Sequence, residues 1–217
     1  MIGLVWKDIL VMRKTLKYFL LVMAVYAVLA LLEILNYAFI ITFIQMLIAT
    51  TPFSAFAYDE QAKWDRYARA LPIGPGAMVG ARYLFVLTVF LAAFTTGVVG
   101  CAGLWLARAE DPLELALTLL ISTSIGVTLT VILIPICYKL GPEKARTFLY
   151  ILVFVPMIVI VLLSRSNSSL LDAFLSFLDS LSPSRLVGMV ALLPLGSLAA
   201  MVVSYLVSCR IAAGKDY

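Results

Sequence analysis

The chain has 217 residues, 64% of them hydrophobic and 13% charged, with a mean hydropathy of +1.09 and a net charge of +4. A soluble domain carries about 25% charged residues, so there is too little polar surface here to cover a core in water, and the expected solvent is lipid. There is no histidine, which removes the commonest general base and metal ligand.

The opening, MIGLVWKDILVMRKTLK, reads as an amphipathic helix over 2–16 lying in the cytoplasmic membrane interface. Ile2, Val5, Trp6, Ile9, Leu10 and Leu16 fall near one face, and Lys7, Asp8, Arg13, Lys14 and Lys17 lie mostly off it. A plain membrane anchor has the same pattern. No small-residue cleavage site follows the apolar region cleanly, so a cleaved signal peptide is not expected.

From Tyr18 to Tyr58 the only charge is Glu33. As one helix that run would be about 60 Å long, twice the hydrocarbon thickness. It must fold back, and EILN (Glu33 to Asn36) offers the polar groups for the turn. Spans are therefore expected near 17–32 and 37–57, followed by a charged cytoplasmic helix over 59–71. Further apolar runs place spans near 80–107, 115–138, 146–164 and 186–209. Between the last two, Leu170, Leu171, Phe174, Leu175, Leu178 and Leu181 share helical spacing, with Asp172, Ser176 and Asp179 on the other face. This predicts an external amphipathic helix over 168–181, either a lid over the helix ends or part of a substrate exit. Lipid admits only helices or closed barrels, and the runs are too long and unbroken for barrel strands. The expected fold is an all-α integral membrane protein, one domain over 1–217 with six transmembrane helices.

With six spans, both termini share a side with the loops after spans two and four. That side holds thirteen of the sixteen Lys and Arg residues, and only Arg108, Arg165 and Arg185 lie opposite. The positive-inside rule makes the termini cytoplasmic and the protein a multi-pass component of the cell membrane.

Chemistry is scarce. Cys101, Cys137 and Cys209 sit on three different spans, without the spacing of a disulfide framework or a zinc site. No catalytic motif and no pair of mid-membrane carboxylates is present, so an enzyme is not expected. Ion-coupled carriers place ionisable groups deep in their spans, whereas spans three to six have uncharged interiors. No Gly-x-x-x-x-Gly-Lys-Ser/Thr loop is present to hold ATP, and GPEKAR from Gly141 is a tight loop. If the protein moves cargo, the ATPase is a separate chain. Thr95, Thr96, Ser122, Thr123, Ser124, Thr128 and Thr130 either line a path or bond back to their own helices. Gly97, Gly100 and Gly103 suggest close helix contact. Pro135, Pro156 and Pro194 either kink their helices or are tolerated.

The charged stretch 59–71 is the most polar in the chain. On a helical wheel Trp64, Tyr67, Ala68 and Leu71 form an apolar stripe, and Asp59, Lys63, Arg66 and Arg69 face away from it. Asp59 with Lys63, and Asp65 with Arg69, are acid-then-base pairs four apart. Leu71-Pro72 ends the helix. Glu60 falls on the apolar side between Trp64 and Tyr67. There it either caps a first helical turn or pins the segment to a basic residue, in the start of this chain or in a partner.

YDEQAKWDRYARALPIGPGAMVGARYL resembles the segment after the second span in small permeases of type-2 ABC exporters. Asp59, Glu60, Lys63, Trp64, Tyr67, Leu71, Pro72, Val79, Arg82, Tyr83 and Leu84 match, with Arg82 where a lysine is common. LVWKDILVMRK, with Lys7-Asp8 and then a basic pair, is similar to the family's opening. The resemblance implies a transmembrane permease subunit of an ABC exporter, paired with a second permease, as homodimer or heterodimer. Cytoplasmic ATPase subunits would bind ATP and Mg, with no cofactor on this chain. It makes Asp59, Glu60, Lys63, Trp64, Arg66, Tyr67, Arg69, Leu71 and Pro72 a coupling helix docked in the ATPase, with Lys7 and Asp8 as possible interfacial contacts. Cargo of such permeases is often a peptide or an amphipathic molecule; no nucleic acid is implied. An ATP-independent scaffold or assembly factor would share the apolar spans but not the matched segment. A secondary transporter is disfavoured by the empty helix interiors.

Overall fold

The computed structural model describes residues 2–32, 36–64, 67–68, 74–108, 111–165, 176, 180 and 182–214. Among these the chain forms eight helices and no strand: α1 (Ile2–Val11), α2 (Arg13–Leu31), α3 (Tyr37–Ala49), α4 (Thr51–Gln61), α5 (Pro75–Arg108), α6 (Pro112–Leu140), α7 (Pro142–Arg165) and α8 (Pro183–Ala213). The external helix expected over 168–181 falls outside the described residues, except for Ser176 and Ser180.

Local chemistry sets the helix ends. Asn36 Oδ1 accepts the amide of Ala38 at 2.8 Å, so the last residue of the expected polar turn caps α3. Pro52 has no N–H to give to the preceding turn, and α3 passes into α4 with a break at Thr50. Asp111 caps α6 by accepting the amide of Leu113 at 2.9 Å, with Pro112 in the first turn. Gly141 ends α6 at φ +85°, a conformation that favours glycine, and Pro142 starts α7 at once.

Among the described residues, five stretches are long and apolar enough to cross a membrane: Tyr37–Gln61, Gly76–Ala107, Pro112–Leu140, Pro142–Arg165 and Arg185–Ala213. The first span expected, 17–32, coincides with most of α2, which crowds Arg13, Lys14 and Lys17 at one end. The helices generally outrun the expected spans because a charge ends an apolar run without ending a helix. α5, at 34 residues, is about 50 Å long, against about 30 Å of hydrocarbon.

α6 is the central post and packs against α3, α5, α7 and α8. Val79, Tyr83, Val86 and Phe90 of α5 meet Val127, Val131 and Ile134 of α6, with Met201, Tyr205 and Cys209 of α8 against them. Hydroxyls join this core. The Tyr83 hydroxyl lies 2.6 Å from Ser204 Oγ and 2.9 Å from Ser208 Oγ, and Ser204 donates to the carbonyl of Val131 at 2.6 Å. Most of the other spanning hydroxyls bond back to their own helices: Thr95, Thr96, Ser122, Ser124 and Thr128 all do. Thr130 also reaches the Ala49 carbonyl of α3 at 3.2 Å. These six bond as packing residues do, whereas Thr123 Oγ1 is buried with no hydrogen-bond partner among the described residues. α7, by contrast, buries only Ala145.

Two expectations about packing are corrected. Gly97 alone of the three glycines makes a close helix contact: a Cβ there would lie 2.4 Å from Leu119 Cδ1, whereas Gly100 and Gly103 have nothing within 4 Å. The N-terminal helix has two apolar faces, not one. The helix expected over 2–16 breaks at Met12; Val5 and Ile9 of α1, Met12 itself and Leu16 of α2 pack on Ala55 of α4 and on Phe85 and Val89 of α5. Ile2, Trp6 and Leu10 are exposed. The sequence wheel merged these faces because both are apolar.

Candidate functional site

The buried stripe of α1 continues as charge. Asp8 is spaced with Val5, Ile9 and Met12 on the face that meets α5, so it is carried inward. On α5, Arg82 shares a stripe with Phe85 and Val89, the residues that receive α1. On α4, Asp59 lies one turn after Phe56, on the same side. Three helices thus deliver charged side chains to one place.

They form a closed quartet of alternating sign. Lys7 Nζ lies 2.9 Å from Asp8 Oδ1 and 2.7 Å from Asp59 Oδ1. Arg82 Nη1 donates to Asp8 Oδ2 at 2.9 Å, and Arg82 Nη2 donates to Asp59 Oδ2. Each cation touches both anions and each anion both cations. The side chains of Asp8, Arg82 and Asp59 are only 6%, 8% and 12% exposed, and that of Lys7 22%. Taking four charges out of water is costly, and this closed geometry offsets the cost, because every ion has two partners of opposite sign. Aromatic faces complete the site. Lys7 Nζ stands 4.3 Å from the centroid of the Trp64 ring, and the Arg82 guanidinium carbon 4.5 Å from that of Phe56. Phe56 in turn meets the Tyr138 ring edge-on at 5.1 Å. A cavity of about 120 Å³ opens beside the quartet, with Glu60, Gly141 and Pro142 also in its wall.

This geometry revises the charged segment. It is not one helix over 59–71. Asp59 and Glu60 belong to the last turn of α4, which ends at Gln61. Lys63 takes a left-handed φ of 52° and donates its amide to the carbonyl of Glu60 at 3.0 Å, closing the helix as glycine usually does. Trp64, Tyr67 and Ala68 resume helical geometry beyond that break. Arg66, Arg69, Leu71 and Pro72 lie outside the described residues, as does Asp65.

The pin to the N-terminal helix exists, but it is Asp59. Glu60 is exposed and makes no ion pair among the described residues. Lying in a last turn, it cannot cap a first one. Asp59 does not face away to pair with Lys63; it turns inward to Lys7 and Arg82. Lys7 and Asp8, expected as interfacial contacts, belong to the quartet itself. Arg82, its hub, was missed as a site residue. Its signal was a lone cation at the foot of an otherwise uncharged span.

The quartet ties the end of α4 to α1 and α5 just before a backbone break. A family model described as ABC-2 family transporter protein matches residues 3–213. No curated protein and no solved structure matches the chain. With its long apolar helices and a match over nearly its whole length, the chain belongs to the ABC-2 transporter family, as a transmembrane subunit of an ABC transporter.

Proposed function

We propose that the chain is one permease half of an exporter and that the segment from Asp59 to Pro72 takes the push of a cytoplasmic ATPase. Two permease subunits, alike or different, pair with ATPase subunits that bind ATP and Mg. A peptide or other amphipathic cargo leaves across the cell membrane. In this reading the chain spans six times with both termini cytoplasmic. The segment, α1 and the Gly141 turn then share the ATPase side.

The observation that carries the reading is the quartet. A segment hinged at Lys63 with no anchor before the hinge would swivel under load. Asp59, four residues before the joint, is bonded to α1 and to α5, so displacement of the segment reaches two further helices through short, charge-assisted contacts.

The test is coupling in the assembled complex with its ATPase in proteoliposomes. Asp59→Asn, with assembly intact, is expected to disconnect ATP hydrolysis from the permease, while Glu60→Gln behaves as the parent. Parental coupling in Asp59→Asn would remove the hand-off. ATP hydrolysis by this chain alone would overturn the division of labour. Topology is checked separately: with Cys101, Cys137 and Cys209 replaced, cysteines at Ala62 and Ser168 are expected to react with an impermeant thiol reagent from opposite sides. Labelling of both from outside sinks the orientation.

A further inference from the structure

Gln45 lies in the Tyr37–Gln61 crossing and is 1% exposed. Its Nε2 donates to the carbonyl of Ala93 at 3.3 Å. Its Oε1 has no hydrogen-bond partner among the described residues. An amide oxygen held at membrane depth without a donor is unfavourable, and an apolar side chain of similar length would pack there without that penalty. Either the oxygen is a defect or a donor comes to it.

Gln45 lines a groove of about 420 Å³ between α2, α3 and α5. That volume falls in the range of small-molecule sites, roughly 300–1,000 Å³. Ile41 and Leu104 form apolar wall, and Thr96 adds a hydroxyl that is already bonded back to its own helix. Gly100 and Gly103 also line it, and with nothing near their would-be Cβ positions they leave bare backbone at the surface. A lipid tail suits the walls but has no donor for Gln45.

We propose that this groove binds a lipophilic molecule carrying an amide N–H or hydroxyl, whose donor displaces the packing that now seals Gln45 Oε1 and hydrogen-bonds to it. The apolar walls take the body of the molecule, and the single acceptor selects for the donor. Identifying this molecule as the exported cargo rests on the exporter reading; the binding does not.

The probes are two photoactivatable diazirine alkyl amides, one secondary and one N-methylated, offered to the full chain in proteoliposomes without ATP. Labelling of peptides around Gln45 and Gly100 is read by mass spectrometry. The parent is expected to take up the N–H probe about 2- to 10-fold more than its N-methyl twin, the worth of one net hydrogen bond. Gln45→Met is expected to erase the preference, and Gly100→Leu to lower labelling by both probes. Equal labelling of the parent by the two probes overturns the proposal, as does a preference that survives Gln45→Met. So does Gly100→Leu that leaves labelling unchanged; if it also dissociates a pair of permeases, the groove is a contact between copies. Because no transport is measured, failure here leaves the exporter reading standing. Selective labelling without ATP-driven export would do the reverse.

Discussion

Arg82 and Tyr83 are neighbours on α5, yet they anchor opposite kinds of network. Arg82 holds two carboxylates, from α1 and α4, that Lys7 also pairs, making four full charges in one cluster. Tyr83, turned about 100° around the helix, gathers hydroxyls and a carbonyl from α6 and α8. The first ties the end of α4 to its neighbours near the foot of the span; the second sits in the apolar core. Ions appear where four can neutralise one another at the end of a long helix. Neutral hydroxyls appear on the adjacent side of the same helix, where α6 and α8 pack against it.

The largest effect should come from breaking the ionic side. Arg82→Met leaves two carboxylates sharing Lys7 alone and is expected to cost about 3–5 kcal/mol, seen as a lower Tm in detergent. Adding Asp59→Asn should recover much of that loss, since a neutral Lys7–Asp8 pair remains. Without recovery, the quartet is not the source of the effect. The hydroxyl side should answer more mildly. Tyr83→Phe is expected to cost about 0.6–1.7 kcal/mol, with coupling to the ATPase unchanged. A coupling defect in Tyr83→Phe would erase the distinction between the two networks.

Two smaller changes sharpen the same contrast at the joint. Lys63 is left-handed, at about 1–2 kcal/mol for an L-residue. Lys63→Gly should therefore raise stability by up to about 1 kcal/mol, measured as Tm, while any loss of coupling would show that the strained lysine stiffens the segment. Smallest of all, Thr15 and Tyr58 meet at 3.3 Å on an exposed edge between α2 and α4. Thr15→Val is expected to shift stability by less than about 0.5 kcal/mol. A larger shift would mean that α2 is held to α4 chiefly there.

Much of the fold was legible in the sequence because apolar runs report directly on lipid exposure. They located most of the described helices, and Asn36, the last residue of the turn expected between Tyr18 and Tyr58, caps α3. The site was only half legible. Lys7, Asp8 and Asp59 stand out by charge, but a helical wheel over 59–71 holds only if one helix runs through Lys63. The left-handed residue there breaks the phase, so the company of Lys63, Arg66 and Arg69 said nothing about where Asp59 points. Glu60 was expected on the apolar side for the same reason, whereas it is exposed. Asp8 looked solvated because burial of an acid depends on a cation seventy-four residues away. Gln45, Ser204 and Ser208 left no local trace either, since a polar residue in an apolar run does not announce which helix it meets.

The quartet has a consequence for energetics across a charged membrane. Two cations and two anions sum to zero. The transmembrane potential does work of about 2.3 kcal/mol per elementary charge per 100 mV. A foot that shifts as a neutral body does so at no electrical cost. The exporter's coupling should then be indifferent to a potassium diffusion potential set with valinomycin. In Arg82→Met the same displacement would carry one net negative charge, and the coupling that survives should become voltage-dependent.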